Sequence, residues 1–204
     1  MNILEVIFVL VLFLIYQGLW KYKKYRQLRV YGTDPDVMPS STSALQRYMS
    51  QLAKVLTIYV IVMIVLHSIG LQLGTLFTRF SAIDSIAFDI SGFITGIVGL
   101  SLCFYSQTKM RDSWRVGVDE KAKTELITTG LYSYIRNPTY LGLFLLNIGV
   151  WLIWPTWTIF VFNLVFILFL DIQVRCEEDH LQKIHGMKYL QYKNRTKRYI
   201  PFIY

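Results

Sequence analysis

The stretch YLGLFLLNIGVWLIWPTWTIFVFNLVFILFL, Tyr140 to Leu170, decides how this chain is built. Two apolar runs, Tyr140 to Ile153 and Trp157 to Leu170, are separated by Trp154-Pro155-Thr156. Proline cannot continue a helix, because it lacks the amide hydrogen and its ring clashes with the preceding turn. As one helix the whole block would run ~48 Å, well beyond a hydrocarbon core of roughly 30 Å. The spacing therefore predicts two membrane-spanning arms joined by a tight turn, a hairpin over residues 138–172 when flanking residues are included. Such a hairpin returns the polar segments on its two sides to the same membrane face.

Working outward, Ile3 to Trp20, Leu52 to Phe77 and Ile86 to Ser106 are three further apolar runs of spanning length. With 54% hydrophobic and 16% aromatic residues in 204, the expectation is an all-α integral membrane protein with five transmembrane helices, not a soluble domain. The N-terminal run lacks a basic leader and a small-residue cleavage site, so it reads as a retained helix. The ending Pro201-Phe-Ile-Tyr204 carries no lipidation signal. Two organisational units follow: residues 1–106, three helices with a basic loop, and residues 107–204, a loop, the hairpin and a basic tail.

The net charge of +8 is distributed as a topology signal. Lys and Arg number seven between Lys21 and Lys54, six between Lys109 and Arg136 and seven after Asp171, with only Arg79 elsewhere. Cytoplasmic loops collect such residues, which places the N-terminus outside and the C-terminus in the cytosol. Without a recognised module beside them, these charges do not point to nucleic acid. Cys103 and Cys176 are too few and too far apart in character for a disulfide framework. His180, His185 and Cys176 lack further ligands at a metal-site spacing, so no metal is expected. Gly92, Gly96 and Gly99 lie inside an apolar run with no preceding strand, which favours close helix packing over phosphate binding.

Both polar flanks of the hairpin then face the cytosol, and their meeting place is the candidate active site. Arg136-Asn137-Pro138 opens the fourth helix, where proline is tolerated and unpaired backbone amides attract a carboxylate or an electron-rich ring. Tyr132, Tyr134 and Tyr140 surround that end, either stacking on a planar base or forming an interfacial aromatic belt. Glu177 and Glu178 are expected at or just past the end of the fifth helix, where they oppose its dipole and ask for a cationic partner: Arg175, Arg136 or a cationic ligand. Gln173 lies one turn earlier on the face of Glu177. His67, Asn147 and Asn163 are intramembrane polar groups that either bond between helices or line a cavity.

These residues bring a family into view. Ser113-Trp-Arg-Val-Gly117, Leu126-Ile-Thr-Thr-Gly130-Leu-Tyr132, Arg136-Asn-Pro-Thr-Tyr140-Leu-Gly142, Glu177-Glu178-x-x-Leu181, Gly186-x-x-Tyr189-x-x-Tyr192 and Arg198-Tyr-Ile-Pro201 together resemble the isoprenylcysteine carboxyl methyltransferase family. The resemblance implies an S-adenosylmethionine-dependent membrane methyltransferase with a cytosolic cofactor pocket. It implies that Gly117, Leu126, Ile127, Tyr132, Asn137, Pro138, Thr139 and Tyr140 line the cofactor and that Glu177 binds its polar, cationic end.

The acceptor side departs from the family. Gln173 stands where members acting on isoprenylcysteine carry Arg, and an amide cannot form the charge-assisted pair with a carboxylate. Arg175, two residues on, points about 200° round the helix. Gln173, Arg175 and Glu178, the last as a base for an amine or neutral thiol, are the expected residues of the acceptor side. The acceptor is expected to be lipophilic: a prenylated substrate, a phospholipid amine or a thiol. The alternative is an NADPH-dependent membrane sterol or lipid reductase, which shares an Arg-Asn-x-Tyr pattern and a Tyr-rich ending but wants added cations for its phosphates.

Overall fold

The computed structural model describes residues 2–71, 73–120 and 124–201, so Phe202 to Tyr204 of the predicted C-terminal ending lie outside the described residues. Among the described residues there are six α-helices and, in place of strands, isolated β-bridges. They are α1 (Ile3–Tyr31), α2 (Ala44–Ser68), α3 (Ile86–Met110), α4 (Pro138–Ile153), α5 (Trp157–His185) and α6 (Met187–Arg195). Four of them, α1, α2, α3 and α5, are long and apolar enough to cross a membrane. The fifth expected span, α4, is apolar but has 16 residues, a length of ~24 Å.

The hairpin is present, with α4 ending at Ile153 and α5 starting at Trp157. Its arms are tied by Asn163 Nδ2 donating to the Asn147 carbonyl at 3.1 Å. The turn between them is anchored from outside: Phe80 N donates to the Pro155 carbonyl at 2.7 Å, and His67 Nε2 lies 3.1 Å from Thr156 Oγ1. His67, Asn147 and Asn163 thus bond between or along helices, and none of the three lines the candidate cavity. On the same end Arg79 pairs with Glu5 of α1 at 2.8 Å and with Asp84 at 2.7 Å.

Helix ends depart from the apolar boundaries. α1 runs past Trp20 to Tyr31, because Lys23 and Gln27 on its inner face donate to the carbonyls of Gln107 and Asp112 at 2.8 and 2.9 Å. α2 spans Ala44–Ser68, earlier at both ends than Leu52 to Phe77. It stops where Gly70 takes a left-handed φ of 68°, a conformation that glycine adopts without penalty. α5 continues through the charged residues after Leu170 to His185, so its last turns carry site residues beyond the apolar layer.

The closest packing is between α3 and α4, antiparallel, along the glycines. A Cβ placed on Gly142 would stand 2.5 Å from the Gly99 carbonyl and 2.7 Å from Cys103 Sγ, and one on Gly92 would stand 2.6 Å from the Gly149 carbonyl. Leu12 of α1, fully buried, covers Gly96, and Val9, Leu100, Leu146, Ile153 and Trp154 complete this core. In an apolar solvent such contact is driven by dispersion and backbone approach, not by apolar transfer. Gly142→Ala is expected to destabilise the detergent-solubilised chain by about 1–3 kcal/mol through overpacking. Gly18→Ala, with no atom within 4 Å, should leave the melting temperature unchanged or slightly raised. Equal melting of the two variants would contradict a tight α3–α4 seam.

Candidate active site

The site is built where three segments meet: the residues before α4, the end of α5, and the chain after α6. The last pairs with the first through its backbone. Lys197 N donates to the Tyr134 carbonyl at 3.1 Å, Arg136 N to Lys197 O at 2.8 Å and Asn137 N to Arg198 O at 3.2 Å. These bonds satisfy amides that cannot be paired inside α4, since its first turn has no preceding carbonyls.

Glu178 locks the junction. It is 2% exposed. Its carboxylate accepts from Arg136 Nε at 3.0 Å, Asn137 Nδ2 at 3.1 Å and Arg198 Nη2 at 3.0 Å. Burial alone would raise its carboxyl, but the hydrogen bonds and charges of Arg198 and Arg136 outweigh it and hold the group below the usual carboxylate range. Arg136 also donates to the carbonyls of Lys193 and Thr196, which ties α6 into the same node.

Behind this node is a cavity of ≈ 100 Å³. Seven of the nine residues expected to hold the cofactor line it: Leu126, Ile127, Tyr132, Asn137, Thr139, Tyr140 and Glu177. Gly117 and Pro138 do not. Gly117 instead favours the ionised form of Glu177 through its backbone N–H. Its φ of 93° and the position a Cβ would take, on Met38 and 2.9 Å from Gln46 Oε1, leave room for glycine alone. Pro138 is buried as the first residue of α4. Met110, Thr124 and Glu125 line the cavity without having stood out in the sequence, although Glu125 adjoins Leu126. Tyr189 and Tyr192 of α6 and Leu181 of α5 close it with Leu126. Tyr192 Oη donates to the Tyr132 carbonyl at 2.7 Å, and burial raises the phenols of Tyr132 and Tyr192 above their ordinary range.

Glu177 and Glu178 are neighbours in sequence and opposites in surroundings. Glu177 points into the cavity and receives Tyr140 Oη at 2.6 Å and Gln173 Nε2 at 3.2 Å on one oxygen. These partners are neutral, and burial pushes its carboxyl up to about 7. Tyr189 Oη, also on the cavity, is buried with no hydrogen-bond partner among the described residues. A carboxylate with neutral partners, an orphaned phenol and a wall of aromatic rings suit a ligand that is cationic at one end and planar at the other.

The expected acceptor-side residues do not meet. Glu178, expected as a base, is engaged by Arg136, Asn137 and Arg198 and lies off the cavity wall, with the contacts of a structural anchor. Arg175, with 54% of its side chain exposed, pairs with Asp171 at 2.7 Å on the outer side of α5. Gln173 is buried, bonded to Glu177 and to Gln46 of α2. His180 Nε2 is 3.0 Å from the Asp119 carbonyl, and Cys176 sits half-buried beside it in sequence.

Glu178 supplies stability above its unfolded value of 4.5, and that stability is lost as pH falls through the lower folded value. Glu178→Gln is therefore expected to cost about 3–5 kcal/mol at neutral pH by stranding the two arginines. It should also flatten the acid limb of a melting-temperature profile below pH 4.5. An unchanged acid limb would contradict the anchor role.

Residues 88–188 match the family described as phospholipid methyltransferase. The chain is 37% identical over 79 residues to the protein-S-isoprenylcysteine O-methyltransferase of Saccharomyces cerevisiae, covering 38% of this chain and 33% of that protein. The human protein of that name is 38% identical over 90 residues, covering 42% and 31%. A methanethiol S-methyltransferase of Crocosphaera subtropica is 36% identical over 91 residues, covering 42% and 33%. The chain thus spans about a third of the length of each of these relatives. A solved eukaryotic intramembrane Ras methyltransferase, isoprenylcysteine carboxyl methyltransferase, superposes with a TM-score of 0.59 at 20% identity, over 93% of this chain and 67% of that one.

Proposed function

We propose that this chain, a relative through its C-terminal half of the isoprenylcysteine O-methyltransferases, is an integral membrane methyltransferase that draws on S-adenosylmethionine and serves a lipophilic acceptor. The observation that carries the reading is Glu177: a carboxylate with neutral partners, aimed into an aromatic cavity. In this reading α4 also crosses, as the fourth of five spans, the N-terminus lies outside, and the cavity opens at the cytosolic face. Residues 107–204 form the methyltransferase core.

The bound donor supplies a methyl group on a sulfonium, already activated for displacement, so the protein's task is alignment and exclusion of water. Glu177 binds the cationic end. Tyr132 and Tyr140, with Tyr189 and Tyr192 opposite, offer aromatic surface to the planar end. Asn137 and Thr139 present polar groups at the start of α4, where the helix dipole favours a carboxylate. Tyr140 also packs with the apolar cluster of Leu56, Phe162, Phe169 and Leu170 between α2 and α5. An acceptor arriving from the bilayer along that cluster reaches the cavity beside Tyr140.

The acceptor itself fits a neutral nucleophile better than a carboxylate. The group nearest Glu177 on its helix face is the amide of Gln173, while Arg175 faces outward. The likeness to a methanethiol S-methyltransferase agrees with a thiol.

Titration calorimetry with S-adenosylhomocysteine, which keeps the ammonium group, tests the reading. The ligand cation needs the ionised carboxylate, so affinity should weaken about tenfold per pH unit below about 7 and level off above it. Glu177→Gln should bind at least tenfold more weakly, with that pH dependence gone. No binding to the wild-type chain, or binding untouched by Glu177→Gln, would overturn the assignment.

A further inference from the structure

We propose that Gln46, on the N-terminal half of the chain, is a positioning residue for the cavity: it holds Gln173 and the Gly117–Val118 backbone in the arrangement that presents Glu177. Gln46 lies near the start of α2 and is 2% exposed. It forms a head-to-tail amide pair with Gln173 of α5, Gln46 Nε2 donating to Gln173 Oε1 at 3.2 Å and Gln173 Nε2 donating back to Gln46 Oε1 at 3.3 Å. The same Gln46 oxygen accepts from Val118 N at 3.1 Å. Gln173 Nε2 then donates onward to Glu177 at 3.2 Å. The Gly117 backbone N–H, next to Val118, also favours the ionised form of Glu177, so one side chain of α2 touches both neutral supports of the carboxylate from outside α4.

The chemistry asks for an amide at this place. The head group must donate to Gln173 Oε1 and accept from Val118 N at once, and among side chains of this length only glutamine does both without charge. An apolar replacement leaves a backbone N–H and an amide oxygen buried without partners, a costly state that releases Gln173 to turn. Gly117 reinforces the need for fit, since its missing side chain is what lets Gln46 and Met38 lie against the loop. Sequence separation hid the link, because Gln46 and Gln173 are 127 residues apart.

The titratable groups facing Glu177 are Tyr140 of α4, Tyr132 of the turn before it, Arg136 and Glu125 on the same cavity, Tyr189 and Tyr192 of α6, and Glu178 and Cys176 on its own helix. Of these, Cys176 also faces the Gln46 side chain, so the readout is taken on the Glu177 carboxyl alone. The experiment is an infrared titration of the Glu177 carboxyl in the ligand-free chain, assigned by its disappearance in Glu177→Gln. Gln46→Met conserves size and removes both polar functions, and Gln46→Asn keeps the amide but shortens its reach. Both are expected to raise the midpoint by about half a pH unit or more, since the carboxylate loses a donor. In a Gln173→Leu background the effect of Gln46→Met should shrink to the part carried by the Gly117–Val118 backbone, which a general packing role would not produce. An unmoved midpoint in Gln46→Met, or an equal shift in both backgrounds, overturns the proposal. The consequence for S-adenosylhomocysteine, about tenfold weaker binding to Gln46→Met, rests on the methyltransferase reading. Absence of wild-type binding would fail that reading alone, whereas the carboxyl midpoint decides the role of Gln46.

Discussion

A carboxylate taken out of water must be surrounded by donors or it does not stay ionised, and Glu178 meets that demand by gathering parts of the chain that are far apart. Its donors come from Arg136 and Asn137 before α4 and from Arg198 after α6. Once these are fixed, the backbone pairing of Tyr134–Asn137 with Lys197 and Arg198 follows, and α6 is laid across the mouth of the cavity. Removing any one donor leaves charge in a buried place, so the node behaves as a unit. The cavity is the space left beside it.

The adjacent Glu177 shows what one helical step of about 100° can do. Turned away from the arginines, it meets only hydroxyl, amide and backbone N–H groups and remains ready for a positive ligand. Two consecutive glutamates therefore divide the work of holding the wall and facing the guest. Their sequence is symmetrical; their surroundings are not.

The hairpin was legible because its evidence is local: proline at position 155 and two apolar runs whose summed length no bilayer accommodates. The glycine seam was legible for the same kind of reason, although its partner, α4, was not named by the pattern. Helix ends were less so. α1 persists past Trp20 because Lys23 and Gln27 find carbonyls in the last turn of α3 and just after it, a contact that no periodicity announces. Within the site, motif resemblance located seven cavity residues and set Glu177 apart from Glu178, but it gave no sign of the arginines around Glu178. That difference is set by partners some 40 residues before and 20 after. Gln46 carried no signal at all, since its importance exists only when α2 and α5 are side by side.

The brevity of α4 has a further consequence. In the proposed five-crossing arrangement its 16 residues leave it about 6 Å shorter than the hydrocarbon layer, whereas its neighbours exceed that layer. Tightly bound to α3 along the glycines, it cannot slide to hide the deficit, so the lipid must adapt to it. The result is hydrophobic mismatch: lipids thin locally beside α4, at a cost of fractions of a kcal/mol per ångström. Bilayer thickness thereby becomes a determinant of where in a cell's membranes this protein resides most comfortably.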